Sequence, residues 1–372
     1  MFENAPKQEL PTGKAKELSE FTQENWREHL LLFSQVKNKV IEVNPDVYTP
    51  LKLEEGKSSP LGLFAEAAFQ EKPPQELPEG KQVLEFWPQH RRSALLGRVL
   101  FADREGRIYR DIDLKGVGYF TSGIEIEGGK QKEITKIRKP GEKLSTGGRF
   151  GLLDADIAAF DRQMSEEFLS AGIRTHRVLA IIELEEIILN GKKLSVEEAR
   201  KANIIDEELN PVVEVRAFGI KTRVDDFTFG KKTSDLPLIE DAKKLLSQEL
   251  GRKETLSNEE YAEWFTKTLG KNAGLMHKNG WGHNYSFSHN ITLDCRIVDL
   301  DSVSELTEDN QREDLRDIKS TVATLMYWLS LNKREEDYFN LFMKSYNAVF
   351  PQNAREHYFA KMAKIKQKER TE

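Results

Sequence analysis

The order of hydrophobic patterns along the chain limits its possible folds more than any other feature. From about residue 93 to residue 219, short apolar runs and alternating patterns predict strands, interrupted by one helical pattern. After about residue 235, apolar residues recur three and four positions apart and predict helices, interrupted by a small hairpin. Strands followed by helices favour an α+β fold. We therefore expect two lobes, a strand-rich N-lobe with one central helix and a helical C-lobe.

Three segments carry the strand predictions of the first lobe. The segment SALLGRVLFADREGRIYRDIDLKGVG predicts two strands joined by a turn at residues 103–106, and the segments RVLAIIEL and VVEVRAFGI predict two more. Because side chains alternate along a strand, the second strand has one polar face. That face carries Tyr109, Asp111, Asp113 and Lys115.

Helical patterns flank these strands. An amphipathic helix is predicted over residues 14–41, and residues 54–81 are expected to form a loop around a short helix. A capping box of Ser257 and Glu260 predicts the start of a helix that ends at Gly270. Further helices are predicted over residues 156–172, 312–332, 334–349 and 353–370. The expected domains are an N-terminal extension at 1–80, an N-lobe at 81–188 and a C-lobe at 189–372, with the hairpin near 290–300.

Composition limits the classes of function. The chain has 372 residues, a net charge of −6 and 38% hydrophobic residues, values that are typical of a soluble globular protein and unfavourable for nucleic-acid binding. Its one cysteine, Cys295, lies in an apolar run, which favours a buried, unreactive thiol. We find no signal-peptide pattern and no apolar run of about 18 residues. We expect a cytoplasmic protein with no membrane or nucleic-acid partner.

A carboxylate interrupts the apolar face of the predicted helix at 156–172. Asp161 lies within that face, and an unpaired charge is costly to bury. Asp161 is therefore expected either at the edge of the core or paired with a cation. Lys115 is a candidate cation, and a solvent-exposed strand lysine is the alternative. The apolar face consists of Ile157, Phe160, Met164 and Phe168.

Two segments contain arginines that suit phosphate groups. In STGGRF, glycine N–H groups, including that of Gly148, precede Arg149. In VRAFGIKTR, Arg216 and Arg223 are seven residues apart near the end of a strand, which suits a clamp on polyphosphate. A flexible loop and surface arginines are the alternatives for these residues.

The segment GHNYSFSHNITLDCRIVDLDS contains oxygen ligands for a metal. If ITLD and CRIVD pair around a turn near Asp294, Asn290 and Asp299 meet at the open end of the hairpin. An amide oxygen and a carboxylate suit Mg²⁺, which completes its coordination with water and phosphate. Zinc is disfavoured, because His283 and His289 have neither Cys partners nor a His-Glu-x-x-His helix.

Together, these segments resemble the selenoprotein O family, a group of proteins with a kinase-like fold. The resemblance runs from about Ser93 to Asp301, and the segments occur in the family's order. Members of the family bind ATP flipped relative to ordinary kinases and transfer AMP to protein hydroxyl groups. The resemblance therefore implies an adenylyltransferase that uses ATP with Mg²⁺ or Mn²⁺ to modify Ser, Thr or Tyr of a protein substrate.

The resemblance also implies nucleotide-binding roles. Lys115 and Arg149 would hold phosphates, and Asp161 would replace the glutamate that pairs with the family's lysine. Arg216 and Arg223 would bind the inward-pointing end of the flipped triphosphate. The full set implied for the nucleotide is Arg92, Lys115, Gly148, Arg149, Asp161, Arg216 and Arg223.

The metal segment both matches the family and departs from it. Asn290 and Asp299 have the family's separation of nine residues and would hold the metal. The family has an aspartate directly before this asparagine, taken to be the general base, and this chain has His289. A neutral imidazole also accepts a proton near pH 7, so His289 is the candidate catalytic residue.

These departures keep two alternatives open. A histidine at the base position also fits a non-catalytic, nucleotide-binding pseudokinase that acts as an interaction module. Asp161 is one methylene shorter than the family's glutamate, and the approach to the first paired strand lacks the family's glycines. The third possibility is an ordinary kinase that phosphorylates a small molecule or a protein. That activity needs an aspartate base at the position of Tyr285.

Overall fold

The computed structural model describes residues 29–47, 51–69, 79–86, 92–103, 105–118, 125–127, 130–132, 151–189, 191–226, 236–331 and 335–369. The chain divides into two compact units. The first unit comprises Met1–Ala159 and Val178–Gly219, and the second comprises Phe160–Arg177 and Ile220–Glu372. The predicted boundaries at residues 80 and 188 do not coincide with the edges of these units.

Strands dominate the first part of the chain and helices the second, so the predicted mixture of α and β structure is confirmed. The described strands are β1 (His29–Gln35), β2 (Asn38–Val43), β3 (Leu63–Phe69), β4 (Lys81–Phe86), β5 (Ser93–Ala102), β6 (Ile108–Lys115), β7 (Glu125–Glu127), β8 (Lys130–Lys132), β9 (Leu153–Asp154), β10 (Arg177–Leu184), β11 (Glu186–Leu189), β12 (Lys192–Ser195), β13 (Pro211–Phe218), β14 (Trp281–Gly282) and β15 (Ser304–Glu305). The helices are α1 (Ala155–Ser170), α2 (Val196–Lys201), α3 (Leu236–Glu249), α4 (Asn258–Lys278), α5 (Glu308–Leu329), α6 (Glu335–Val349) and α7 (Gln352–Glu369). Within the described ranges, no helix combines the length and the apolar character that crossing a membrane requires.

Nine of the described strands form one sheet. Its order is β2-β10-β13-β6-β5-β4-β1-β3, and β9 pairs with β13. Strands β5, β6 and β13 pair antiparallel, and their register places Lys115 opposite both Ser93 and Glu214. The predicted strands RVLAIIEL and VVEVRAFGI are β10 and β13. The apolar residues of both strands are buried, and in β13 the charged Glu214 and Arg216 are buried with them.

The helices predicted for the beginning of the chain are wrong where the structure describes it, whereas the predicted loop is confirmed over residues 54–60. Residues 29–41 were predicted as helix and form β1 and β2, whereas residues 14–28 lie outside the described ranges. The apolar patch LGLFAEAAF was predicted as a short helix and contributes β3. Strand β1 pairs with β3 and β4, and β2 pairs with β10. These pairings with distant segments override the local helical pattern, because strand formation depends on neighbours more than on propensity.

Helix α1 buries most of the predicted face, with Phe160 as the exception. Phe160 was assigned to the apolar face, but 38% of it is exposed. Asp161 is fully buried, and Met164 and Phe168 are buried as predicted. The buried face of α1 therefore includes the carboxylate of Asp161. This carboxylate requires partners, because burying an unpaired charge is costly.

Helix α4 begins where the capping box predicts but does not end at Gly270. The side chain of Ser257 accepts the N–H group of Glu260, and the Glu260 side chain accepts that of Ser257. The helix continues to Lys278, and the two glycines in it face α6. A Cβ atom on Gly270 would lie 2.5 Å from the carbonyl oxygen of Phe342. Glycine is therefore needed at this position for the close approach of two helices.

We expect the substitution Gly270→Ala to destabilise the protein even though alanine is the better helix former. The added methyl group meets backbone atoms of α6, and overpacking of this kind costs about 1–3 kcal/mol. Urea denaturation measures the change. Lys271→Ala, at the next and exposed position, is the control and should change stability by less than about 0.5 kcal/mol. Equal stability of both variants would contradict the close packing of α4 and α6.

Candidate functional site

The residues after Asn290 form a tight hairpin in the second unit. Ile291 and Ile297 form an isolated antiparallel bridge. The N–H group of Thr292 donates to the carbonyl oxygen of Arg296 at 3.0 Å. The predicted chain reversal is confirmed, but it consists of one bridge and not of two regular strands.

Helix α4 anchors this hairpin from one side. The hydroxyl group of Tyr261 donates to the carbonyl oxygen of Leu293 at 2.6 Å, and Nδ2 of Asn272 donates to that of Cys295 at 3.1 Å. Cys295 is buried, and burial raises the pKa of its thiol far above the ordinary value. The expected burial of Cys295 is therefore confirmed, and its lack of reactivity stays a prediction.

The side chains of Asn290 and Asp299 converge on one guanidinium group. Nη1 of Arg223 donates to Oδ1 of Asn290 at 3.4 Å, and Nη2 donates to Oδ2 of Asp299 at 3.1 Å. The N–H group of Val298 donates to the carbonyl oxygen of Asn290 at 3.0 Å, which sets the two ends of the hairpin side by side. The amide oxygen of Asn290 and a carboxylate oxygen of Asp299 therefore lie near one another on the same guanidinium, and a metal ion between them stays a prediction.

Backbone contacts hold each member of the pair in place. Nδ2 of Asn290 donates to the carbonyl oxygen of Tyr285 at 2.9 Å, which aims the amide oxygen at Arg223. Asp299 has a φ of 58°, in the left-handed region that aspartate tolerates better than most residues. The next N–H group, that of Leu300, donates to Oδ1 of Asp161 at 3.2 Å.

Asp161 therefore fixes the backbone next to Asp299. Its Oδ1 also lies 3.3 Å from Nε2 of His176, and both side chains are fully buried. The predicted partner, Lys115, belongs to the first unit, and the pairing of Asp161 with Lys115 stays a prediction. Of the two alternatives for Asp161, the solvent-facing edge of the core is wrong, and the pairing with a cation stays a prediction.

His289 lies beside a carboxylate that the sequence did not point to. Nδ1 of His289 is 3.9 Å from Oδ2 of Asp225, and its ring stacks on that of Phe287. Burial and the neighbouring charge of Asp226 raise the pKa of Asp225 to about 7. Burial and the positive charge of Arg223 lower the pKa of His289. At neutral pH the imidazole is therefore mostly neutral and able to accept a proton.

A second carboxylate missed at the sequence level, Asp314 on α5, holds the loop that precedes Asn290. Its Oδ2 accepts the backbone N–H group of His283 at 2.8 Å, and its Oδ1 accepts the hydroxyl of Ser286 at 2.8 Å. Burial would raise the pKa of Asp314, but hydrogen bonding and charge from His277 outweigh it, and the pKa is lowered. The signal available in the sequence was its spacing, since Asp314 lies four residues before the buried Ile318.

In the first unit, charged side chains cover a buried face of β6 and β13. Nε and Nη2 of Arg216 each donate to a carboxylate oxygen of Asp113 at 2.9 Å. Nη2 also donates to Oγ of Ser93 at 3.1 Å. Lys115 lies opposite Glu214 in register and is 2% exposed, so the solvent-exposed strand lysine is wrong. The polar face of β6 is thus part of the interior.

Three of the remaining predicted phosphate ligands lie in the described part of the chain, and two do not. Gly148 and Arg149 lie outside the described residues. Arg92 is half-buried directly before β5. Arg216 and Arg223 are buried, so the alternative of surface arginines is wrong, but they belong to different units and a shared clamp on phosphate stays a prediction.

The donor atoms limit which metal could bind. In the part of the chain that the structure describes, no three His, Cys, Asp or Glu side chains come together as a metal site. Asn290 and Asp299 supply two hard oxygen donors, which fits Mg²⁺ or Mn²⁺ completed by water and phosphate oxygens.

Comparison with known proteins adds little. No family model matches the chain, and no curated protein matches it. Among solved structures, WaaP in complex with acyl carrier protein is similar at 10% sequence identity and a TM-score of 0.24, over 69% of this chain and 90% of that chain. A likeness at this TM-score carries no argument about fold or function.

We expect Asp314→Asn to destabilise the second unit strongly. The amide group places N–H donors against the N–H of His283 or the hydroxyl of Ser286, which leaves buried donors unpaired and costs about 2–4 kcal/mol. Urea denaturation followed by tryptophan fluorescence measures the loss. Glu313→Gln, at the preceding and exposed position, is the matched control. A loss no larger than that of the control would refute the anchoring role of Asp314.

The raised pKa of Asp225 predicts how stability changes with pH. Between its ordinary value of 3.8 and about 7, the folded state keeps a proton that the unfolded chain has released. The free energy of unfolding should therefore fall as pH rises through this window, and Asp225→Asn should remove part of that fall. Thermal unfolding from pH 4 to pH 8 in EDTA measures it. The exposed Glu254→Gln should keep the wild-type profile, and an unchanged profile in Asp225→Asn would contradict the assignment.

Proposed function

We propose that the protein is an ATP-dependent nucleotidyltransferase with a kinase-like fold that transfers AMP to a hydroxyl group of a protein substrate. The observation that carries the proposal is the convergence of Asn290 Oδ1 and Asp299 Oδ2 on the guanidinium of Arg223, at 3.4 and 3.1 Å. The choice of AMP over phosphate comes from the resemblance to the selenoprotein O family. The same proposal includes a kinase-like fold, phosphate-binding roles for Lys115 and Arg149, and a cytoplasmic location.

In this proposal, Asn290 and Asp299 hold Mg²⁺ or Mn²⁺. The bound ion would neutralise charge on the phosphates of ATP. The protein's contribution is to fix two oxygen donors, and two contacts do so: the Tyr285 carbonyl oxygen restrains Asn290, and the Asp161 carboxylate, which accepts the N–H group of Leu300, fixes the backbone after Asp299. Preorganised donors of this kind lose little on binding because they need not reorganise.

His289 is the proposed base. The acceptor hydroxyl gives its proton to the imidazole, its oxygen bonds to the α-phosphorus, and the bond between the α-phosphorus and pyrophosphate breaks. The lowered pKa of His289 keeps the ring neutral and available. Nδ1 of His289 lies 3.9 Å from Oδ2 of Asp225, beyond hydrogen-bond distance, so either ring nitrogen of the neutral imidazole can serve as the acceptor.

A second candidate function is a non-catalytic pseudokinase that binds nucleotide and acts as an interaction module. It is favoured by Arg223, whose guanidinium already supplies a positive charge to the metal pair. An ordinary kinase is less well supported. The position of its aspartate base is taken by Tyr285, whose side chain is 55% exposed and whose carbonyl oxygen binds Asn290.

Parallel labelling with ATP separates these functions. The protein is incubated with Mn²⁺, casein as a hydroxyl-rich acceptor, and ATP labelled at the α- or the γ-phosphate. We expect protein-bound label from the α position only. Asp299→Ala should lose it by on the order of a hundredfold or more, because a metal ligand supplies several kcal/mol of transition-state stabilisation. The exposed Asp309→Ala is the control.

The other outcomes of this experiment are equally definite. Label from the γ position would identify a kinase and reject AMP transfer. The absence of label from both positions, with ATP still raising the melting temperature, would identify the pseudokinase. Label that persists in Asp299→Ala would reject the metal role of Asp299.

A further inference from the structure

The guanidinium of Arg223 binds the two oxygen atoms that would hold the metal ion. The proposal below rests on the metal role proposed for Asn290 and Asp299. Only 9% of the Arg223 side chain is exposed, against 28% of the Asp299 side chain. Two positive charges that share one carboxylate repel each other, and burial strengthens the repulsion.

We propose that Arg223 is the resident cation of the Asn290–Asp299 pair, and that the phosphates of ATP release the pair by drawing the guanidinium away. The divalent ion then binds together with the nucleotide and not before it. The nucleotide class is one that carries a polyphosphate, since a single terminal charge would offer the guanidinium no better partner than Asp299.

The backbone of Arg223 is held by contacts that do not involve its guanidinium. The N–H group of Arg223 donates to Oδ2 of Asp226 at 2.6 Å, and Arg223 forms an antiparallel bridge with Thr292. The bond from Nη1 to Asn290, at 3.4 Å, is longer than most N–H···O hydrogen bonds, which are about 2.7–3.2 Å. The guanidinium is therefore held mainly by Asp299.

Phosphate offers the guanidinium a stronger partner than this. Arginine binds phosphate oxygens with two parallel charge-assisted bonds, whereas here it has one carboxylate oxygen and one neutral amide oxygen. Transfer of Arg223 to phosphate would also remove the hydrogen bonds of its guanidinium from both oxygen atoms of the pair. One rotation of a side chain thus couples the two binding events.

The test uses Mn²⁺ alone, with no nucleotide, and follows free Mn²⁺ by electron paramagnetic resonance. We expect weak binding by the wild type and binding at least about tenfold tighter by Arg223→Gln, because removal of a buried neighbouring charge is worth at least that factor. Arg223→Lys keeps the positive charge on a shorter and more mobile side chain, and its affinity for Mn²⁺ should lie between those of the wild type and Arg223→Gln. Arg252→Gln removes the arginine of an exposed ion pair with Glu260 in the same unit and should bind as the wild type does.

Each result supports or overturns the proposal. Tighter binding by Arg223→Gln that disappears in the double variant with Asp299→Asn supports it. Unchanged binding by Arg223→Gln and Arg223→Lys, in variants whose circular dichroism matches the wild type, overturns it. A gain that survives Asp299→Asn also overturns it, because the metal would then bind elsewhere.

A second measurement separates this proposal from the proposed function. In EDTA, ATP should raise the melting temperature of the wild type but not of Arg223→Gln, since the guanidinium is the cation that ATP meets first. A shift of equal size in both would overturn the release step. Failure of these measurements with AMP transfer intact would reject only the exchange of cations, whereas success without AMP transfer would reject only the enzymatic activity.

Discussion

The buried carboxylate of Asp314 is the contact on which the geometry of the candidate site depends. It fixes the backbone of His283 and the side chain of Ser286, and the loop that they begin ends at Asn290. Nε2 of His283 lies 2.9 Å from the carbonyl oxygen of Val298, which can only accept, so this nitrogen carries a proton. Asp314 therefore positions the loop before Asn290 directly, and it positions the chain segment before Asp299 through His283. Without these hydrogen-bond donors, burial of the ionised Asp314 carboxylate would cost the folded state several kcal/mol.

Local patterns were sufficient for the parts of the fold whose partners are near in sequence. Strands β5 and β6, with their short turn, and the helices α5 and α6 follow from periodicity, because the strands pair with each other and each helix buries one face. The convergence of Asn290 and Asp299 was predictable for the same reason, since a hairpin of nine residues joins them. Strands β1 to β3 were missed because their partners are distant. Asp225 was missed because its neighbour, His289, is 64 residues further along the chain.

The charged face of the first unit shows a different limit of sequence reasoning. Alternation correctly placed Asp113 and Lys115 on one face of β6, but it could not show that the face is buried. Burial is decided by Arg216 of β13, which neutralises Asp113 through two hydrogen bonds. Apolar residues of similar volume would often make such an interior at least as stable. The retention of ions there is consistent with the nucleotide-binding role proposed for Lys115.

The glycines of α4 have a consequence beyond helix packing. Gly270 and Gly274 face α6, and Asn272, between them, binds the hairpin through the carbonyl oxygen of Cys295. Helix α4 therefore packs closely on α6 through its two glycines and contacts the hairpin on its other side through Asn272. Its distance from α6 fixes where Asn272 meets the hairpin. A bulkier residue at Gly270 would push the helix toward the hairpin and alter the gap between Asn290 and Asp299. Affinity for a cation would then depend on a contact that touches neither of its ligands.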